Sequence, residues 1–135
     1  MMYYLDTNIC SYYISQRFPQ VTAKFEMQEP NTLFVSSIVC AELAAGVENG
    51  SATRYDDNKL KIGEFLKRIQ IRAWDEKAIW LYGQHKTRLW RAGTRISEID
   101  LLLGCQALAE NAVFVTNNTR EFERIEGLKL ENWVL

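Results

Sequence analysis

Short apolar runs alternate along the chain with longer stretches in which apolar residues return every three or four positions. The first pattern suits buried strands and the second amphipathic helices. Residues 2–5 (Met-Tyr-Tyr-Leu), 32–36 (Thr-Leu-Phe-Val-Ser) and 112–116 (Ala-Val-Phe-Val-Thr) are predicted strands, with weaker ones at 69–73 and 129–131. Asp6-Thr7-Asn8 is cap chemistry for a short helix over 9–15, and Pro19 opens a second helix. Residues 38–47 read as an apolar helix, stopped by the glycines at 46 and 50. A longer amphipathic helix over 51–68 is carried by Leu60, Ile62, Phe65 and Leu66, a spacing that Ile69 continues. The next helix begins at Asp75-Glu76 and runs to Ala92, where Gly93 ends it. Ser97-x-x-Asp100 then caps a helix that opens on three leucines.

Strands alternating with helices predict the α/β class, with a parallel sheet covered on both faces. Residues 1–135 read as one domain, without repeat or linker. Sheets of this kind receive ligands beyond the carboxyl ends of their strands. Polar clusters stand at two such ends, Asp6-Thr7-Asn8 and Thr116-Asn117-Asn118.

Composition narrows the setting. Apolar residues form 47% of the chain, with four Trp, six Phe and six Tyr, enough to bury a core without disulfides. Cys10, Cys40 and Cys105 are odd in number, far apart and in apolar company, so they read as small core residues rather than zinc ligands or bridges. No run reaches the roughly 18 apolar residues of a membrane span. The N-terminus lacks the basic start of a secretory signal, and a reducing cytoplasm is the expected location.

The net charge of −1 conceals an asymmetry: residues 59–95 carry ten Lys/Arg against three acids, while the segments on either side each carry seven acids against three basic residues. Such a split fits a nucleic-acid partner, or a solvated helix face.

Three acids sit among apolar neighbours. Asp6 follows Tyr3-Tyr4-Leu5, Glu42 lies within Ile38-Val39-Cys40-Ala41-Glu42-Leu43-Ala44-Ala45, and Asp100 precedes Leu101-Leu102-Leu103. An unpaired buried carboxylate costs several kcal/mol or is protonated instead. Three such acids meeting in space would call for a cation, and an oxygen-only set favours Mg²⁺ or Mn²⁺. Each acid also has a simpler reading: Asp6 as a helix cap, Asp100 as a first-turn acid, Glu42 as an acid reaching solvent.

Leu5-Asp6-Thr7-Asn8, Ala41-Glu42-Leu43, Asp100-Leu101-Leu102 and the stretch from Val115 to Phe122 (Val-Thr-Asn-Asn-Thr-Arg-Glu-Phe), taken in order, resemble the PIN-domain family, and within it the VapC toxins of toxin–antitoxin pairs. Gly127-Leu128-x-x-Glu131-Asn132-Trp133 is similar to the same group, so the likeness spans nearly the whole chain. The resemblance implies a three-layer α/β/α sandwich with a central parallel sheet. It implies Asp6, Glu42 and Asp100 as holders of one or two Mg²⁺ or Mn²⁺ ions, and hydrolysis of an RNA phosphodiester to a 5′-phosphate and a 3′-hydroxyl. Many PIN domains have a further Asp where this chain has Asn118, whose amide oxygen can orient a water but brings no charge. Thr7 and Thr116 are expected to support the acids through their hydroxyls; their simpler readings, with that of Asn117, are cap and turn residues.

The resemblance also implies a substrate and partners: the anticodon region of initiator tRNA, a VapB-type antitoxin laid in the toxin's groove, a homodimer, and operator DNA reached only through the antitoxin complex. Arg88, Arg91 and Arg95 recur at spacings of three and four and are the expected RNA-binding stripe, with Lys86 and the single histidine, His85, beside them. Trp90, close to that stripe, either stacks on an unpaired base or, the favoured reading, packs in the core with Trp80, Tyr82 and Leu89; Tyr12, Tyr13, Phe18, Phe25 and Trp74 are expected on contact surfaces. A haloacid-dehalogenase-type phosphatase also places an Asp after its first strand, but needs a second Asp where this chain has Asn8.

Overall fold

A computed structural model describes residues 1–135. The strands are β1 (Tyr3–Leu5), β2 (Leu33–Ser36), β3 (Gln70–Arg72), β4 (Val113–Val115) and β5 (Lys129–Glu131). Between them lie α1 (Thr7–Ser15), α2 (Pro19–Met27), α3 (Ser37–Glu48), α4 (Tyr55–Leu66), α5 (Ile79–Ala92), α6 (Glu98–Ala109) and the short α7 (Thr119–Phe122). All strand pairs are parallel and the order across the sheet is β3-β2-β1-β4-β5.

That order sets the layers. Crossovers between parallel strands are right-handed. The chain steps from β1 to β2 to β3 in one direction, then returns to β4 and β5 in the other. Helices α1 to α4, which pack on one another, therefore cover one face, and α5 to α7 cover the opposite face. This is the expected α/β/α sandwich. The direction of winding reverses between β1 and β4, so the connections leaving these two neighbours diverge to opposite faces and open a crevice at their carboxyl ends.

A cluster of 27 buried apolar residues fills both interfaces of the sheet, with Tyr4, Phe114, Phe122 and Trp133 among the largest side chains sealed from water. Several sequence expectations need correction. Tyr13 and Phe25 are not contact-surface residues: their rings stack at 3.8 Å between centroids, beside Phe65, and both are buried. Tyr12 and Phe18 are half-buried and pack edge to face, while half-buried Trp74 donates its indole N–H to the Leu102 carbonyl at 2.8 Å. Conversely, Trp80 and Trp90 are 79% and 64% exposed rather than in the core. Only Leu89 of that group is buried, because α5 turns a single narrow side inward.

Helix α3 is also less apolar in context than its composition suggests. Val39, Leu43 and Val47 face the core, while Ala41, Ala44 and Ala45 face water at little cost. Its neighbour α4 leaves Leu60 exposed. The basic stripe is interrupted. Helix α5 ends at Ala92 with Gly93 in the left-handed region (φ 72°), so Arg95 lies on the following loop and not in line with Arg88 and Arg91. Short α7, absent from the sequence reading, starts directly after Asn118. No helix is long and apolar enough to cross a membrane.

Candidate active site

The crevice is built from two strand ends in register. Leu5 pairs with Val115, so the next residue on each strand, Asp6 and Thr116, stand side by side. Asp6 is only 7% exposed. Its Oδ1 accepts from the Thr7 backbone N–H at 2.8 Å, and its Oδ2 accepts from the Thr116 hydroxyl at 2.8 Å. The residue is thus both a helix cap and a buried acid; the two readings of the sequence coexist. Thr116 Oγ1 accepts in turn from the Asn118 backbone N–H at 3.0 Å, closing the turn after β4.

Glu42 comes from α3, across the crevice mouth. It is half-exposed, and its Oε1 accepts the Thr7 hydroxyl at 2.5 Å. Asp100 enters from the first turn of α6, where the Ser97 side chain accepts from the Asp100 backbone N–H at 3.3 Å. That cap fixes the start of α6 and with it the backbone that carries Asp100.

A fourth acid completes the group. Glu121, in α7, accepts from the Ser97 backbone N–H at 3.0 Å and from the Asn118 amide at 2.7 Å, and it shares a hydrogen bond with Asp100. Asn118 is therefore engaged as a holder of Glu121. The negative charge missing at Asn118 returns three residues later, one helical turn on. The signal was present in Thr116-Asn117-Asn118-Thr119-Arg120-Glu121 as an acid in the first turn after a capping residue. It is one of seven acids in residues 96–135, and only the fold distinguishes it.

The acids sense one another. Burial, reinforced by the charges of Glu42 and Glu121, pushes the Asp6 carboxyl up against the pull of its two hydrogen bonds. Burial and the charges of Asp6 and Glu121 hold Asp100 at about 6. Glu121 lies below its ordinary value: desolvation opposes this, but the bonds from Ser97 and Asn118, its contact with Asp100 and the Arg124 charge outweigh it. No Lys or Arg forms a salt bridge with any of the four. No three of the acids stand close enough to form a ready ligand set. Asp100 and Glu121 lie beside each other, and Glu42 accepts from the Thr7 hydroxyl. Oxygen donors only and crowded like charges are chemistry suited to a divalent cation.

The basic residues divide between two places. Arg88 and Arg91 line a shallow groove with Trp80, and Arg88 also donates to the Arg124 carbonyl at 2.7 Å. Arg95 lines a separate pocket nearer the acids. His85 lies 3.1 Å from the Arg88 guanidinium, and burial and that charge lower its pKa.

A parallel α/β/α sheet with acids gathered at its switch point defines an acid-centred α/β domain. The chain belongs to the PIN-domain family, which it matches over residues 3–128, and within it to the VapC ribonucleases. It is 42% identical to Ribonuclease VapC2 of Rickettsia felis over 98% of both chains. It is 32% identical to the tRNA(fMet)-specific endonuclease VapC of Shigella flexneri, again over 98% of both. Its fold superposes with a TM-score of 0.90 on the crystal structure of VapBC2 from Rickettsia felis bound to a promoter DNA fragment, at 40% identity, covering 98% of this chain and 99% of that one.

Proposed function

We propose that this protein is the toxin of a toxin–antitoxin pair, a divalent-metal-dependent endoribonuclease that cuts initiator tRNA in its anticodon region and so halts translation. The observation that carries the reading is that Asp6, Glu42, Asp100 and Glu121 surround the β1/β4 crevice near enough for their charges to raise the carboxyls of Asp6 and Asp100, with no salt bridge to any of them. The substrate is suggested by the relative from Shigella flexneri, whose name specifies tRNA(fMet). The partner, a VapB-type antitoxin that brings operator DNA to the complex, is suggested by the Rickettsia felis VapBC2 structure. A homodimer is part of the same proposal.

Asp6, Glu42 and Asp100, with Glu121 beside them, are the residues that would hold Mg²⁺ or Mn²⁺, which supplies a coordinated water of lowered pKa and positive charge against the phosphate. The chain's own residues prepare the place. Thr116 and the Thr7 N–H hold the Asp6 carboxylate in one rotamer, and the Thr7 hydroxyl does the same for Glu42. Asn118 and the Ser97 N–H hold Glu121 in place beside Asp100, whose carboxyl burial and neighbouring charge raise to about 6. The basic residues Arg88, Arg91 and Arg95 guide the RNA backbone.

The test is cleavage of purified tRNA by the protein with Mg²⁺ or Mn²⁺, with cut sites mapped by sequencing. Cleavage confined to the initiator anticodon loop is expected, abolished by EDTA and in Asp6→Ala and Asp100→Ala. Undiminished cutting in EDTA or by either variant would overturn the metal mechanism. Turnover of p-nitrophenyl phosphate without RNA cleavage would favour a phosphatase.

A further inference from the structure

Between α5 and the segment leading into α6 lies a pocket of about 360 Å³. Its floor is apolar, made by Leu89, Ile96 and Leu101. One wall is the indole of Trp90, 64% exposed, and Arg95 stands at the rim. A large aromatic ring left open to water beside a guanidinium is costly for a monomeric surface and is the pairing that unpaired nucleobases use.

The pocket's position relative to the acids is fixed. Leu101 directly follows Asp100, and Ile96 directly precedes Ser97, whose N–H is held by Glu121. The loop carrying Arg95 is fastened a second time, by the Arg124 guanidinium to the Arg95 carbonyl at 2.8 Å. Both fastenings come from α7 and the residues just after it, which also hold the acid centre. The pocket and the acid centre therefore share the start of α6, with Leu101 lining the one and the adjacent Asp100 belonging to the other. Lys86 and Glu98, on the same rim, are bound to each other at 2.8 Å, so the free cation there is Arg95.

We propose that this pocket takes an unpaired base of the RNA next to the bond that is cut, stacked on Trp90, with Arg95 on its phosphate. A base can enter only when it is splayed out of a helix, which would confine cleavage to loops and single strands. The proposal rests on the ribonuclease reading above, and its test is binding without cleavage. A fluorescently labelled single-stranded RNA decamer is titrated into the full chain in EDTA, at several salt concentrations. Trp90→Ala is expected to weaken binding by about 5- to 100-fold, with Trp90→Phe recovering most of it. Arg95→Gln is expected to reduce the salt slope by about one. Leu60→Ala, on α4 across the sheet and 62% exposed, is the comparison and leaves the affinity within about twofold. An unchanged affinity in Trp90→Ala, with wild-type RNA binding intact, overturns the pocket while leaving the nuclease standing. So does a Trp90→Ala protein that binds RNA normally but changes its mass in sedimentation, which would make this face an interface between copies. Failure of the wild-type protein both to bind the decamer and to cut tRNA overturns the ribonuclease reading and the pocket together.

Discussion

The Thr116 hydroxyl donates to Asp6 Oδ2 at 2.8 Å, joining two residues 110 positions apart at the ends of neighbouring strands. The same oxygen accepts the Asn118 N–H, so one buried hydroxyl orients the first acid and shapes the turn that leads to the fourth. Removing it leaves a carboxylate oxygen and an N–H without partners in a place water barely reaches. Thr116→Val is expected to lose about 1–3 kcal/mol of stability and at least about tenfold in cleavage rate. Thr116→Ser keeps most of both. Denaturant melts and single-turnover cleavage read the two effects separately, and full activity in Thr116→Val would show that the bond is structural only.

Glu121→Gln preserves an acceptor for Ser97 and Asn118 but removes one negative charge. Without that charge the Asp100 carboxyl falls from about 6 toward its ordinary range, because part of its elevation is repulsion from Glu121. Carbon NMR titration of labelled Asp checks the shift. Mn²⁺ affinity is expected to drop by about 10- to 100-fold, and an unaltered affinity would place Glu121 outside the ion's surroundings.

The raised Asp100 value also sets a pH dependence. An unfolded Asp releases its proton near about 3.9, whereas the folded one retains it to about 6. Between these values the folded state binds the extra proton, so this group's contribution is present at low pH and lost as pH rises through about 6. Asp6 is shifted in the same direction. Glu121, shifted downward, acts oppositely and at lower pH. Melting temperature in EDTA is therefore expected to fall by about 3 °C between about pH 4.5 and about pH 7. A metal has to displace the Asp100 proton, so Mn²⁺ affinity should weaken by about tenfold per pH unit below about 6. Calorimetric titrations at about pH 5 and about pH 7 that give equal affinities would exclude Asp100 from the ligand set.

Gly104 lies where α6 passes the segment around α7. A Cβ there would stand 2.3 Å from Ile125 Cδ1, with Phe122 Cδ1 at 3.6 Å, and both side chains are sealed in the core. Gly104→Ala is expected to cost about 1–3 kcal/mol through overpacking, offset by about 1 kcal/mol of helix propensity. Because α6 carries Asp100 and α7 carries Glu121, the same substitution should lower cleavage, whereas a mutation of similar cost far from this seam should not. Comparing Gly104→Ala with Val21→Ala at matched stability makes that distinction.

The sequence by itself determined β1, β2 and β4, since each is a short apolar run bounded by turn residues, whereas the mixed edge strands β3 (Gln-Ile-Arg) and β5 (Lys-Leu-Glu) were only weakly marked. It also marked Asp6, Glu42 and Asp100, because an acid among apolar neighbours is conspicuous in one dimension. Surface and core on α5 were not legible: Trp80 and Trp90 are large and apolar, and only the placement of the sheet decides that α5 turns Leu89 inward and leaves them in water. Glu121 was hidden for a related reason, being an ordinary acid until the β1/β4 register and the reversal of winding bring α7 against α6. Sequence spacing states which residues share a face of one element; which elements meet is set by packing energies summed over the whole core, and that is where the fourth carboxylate and the Trp90 pocket were decided.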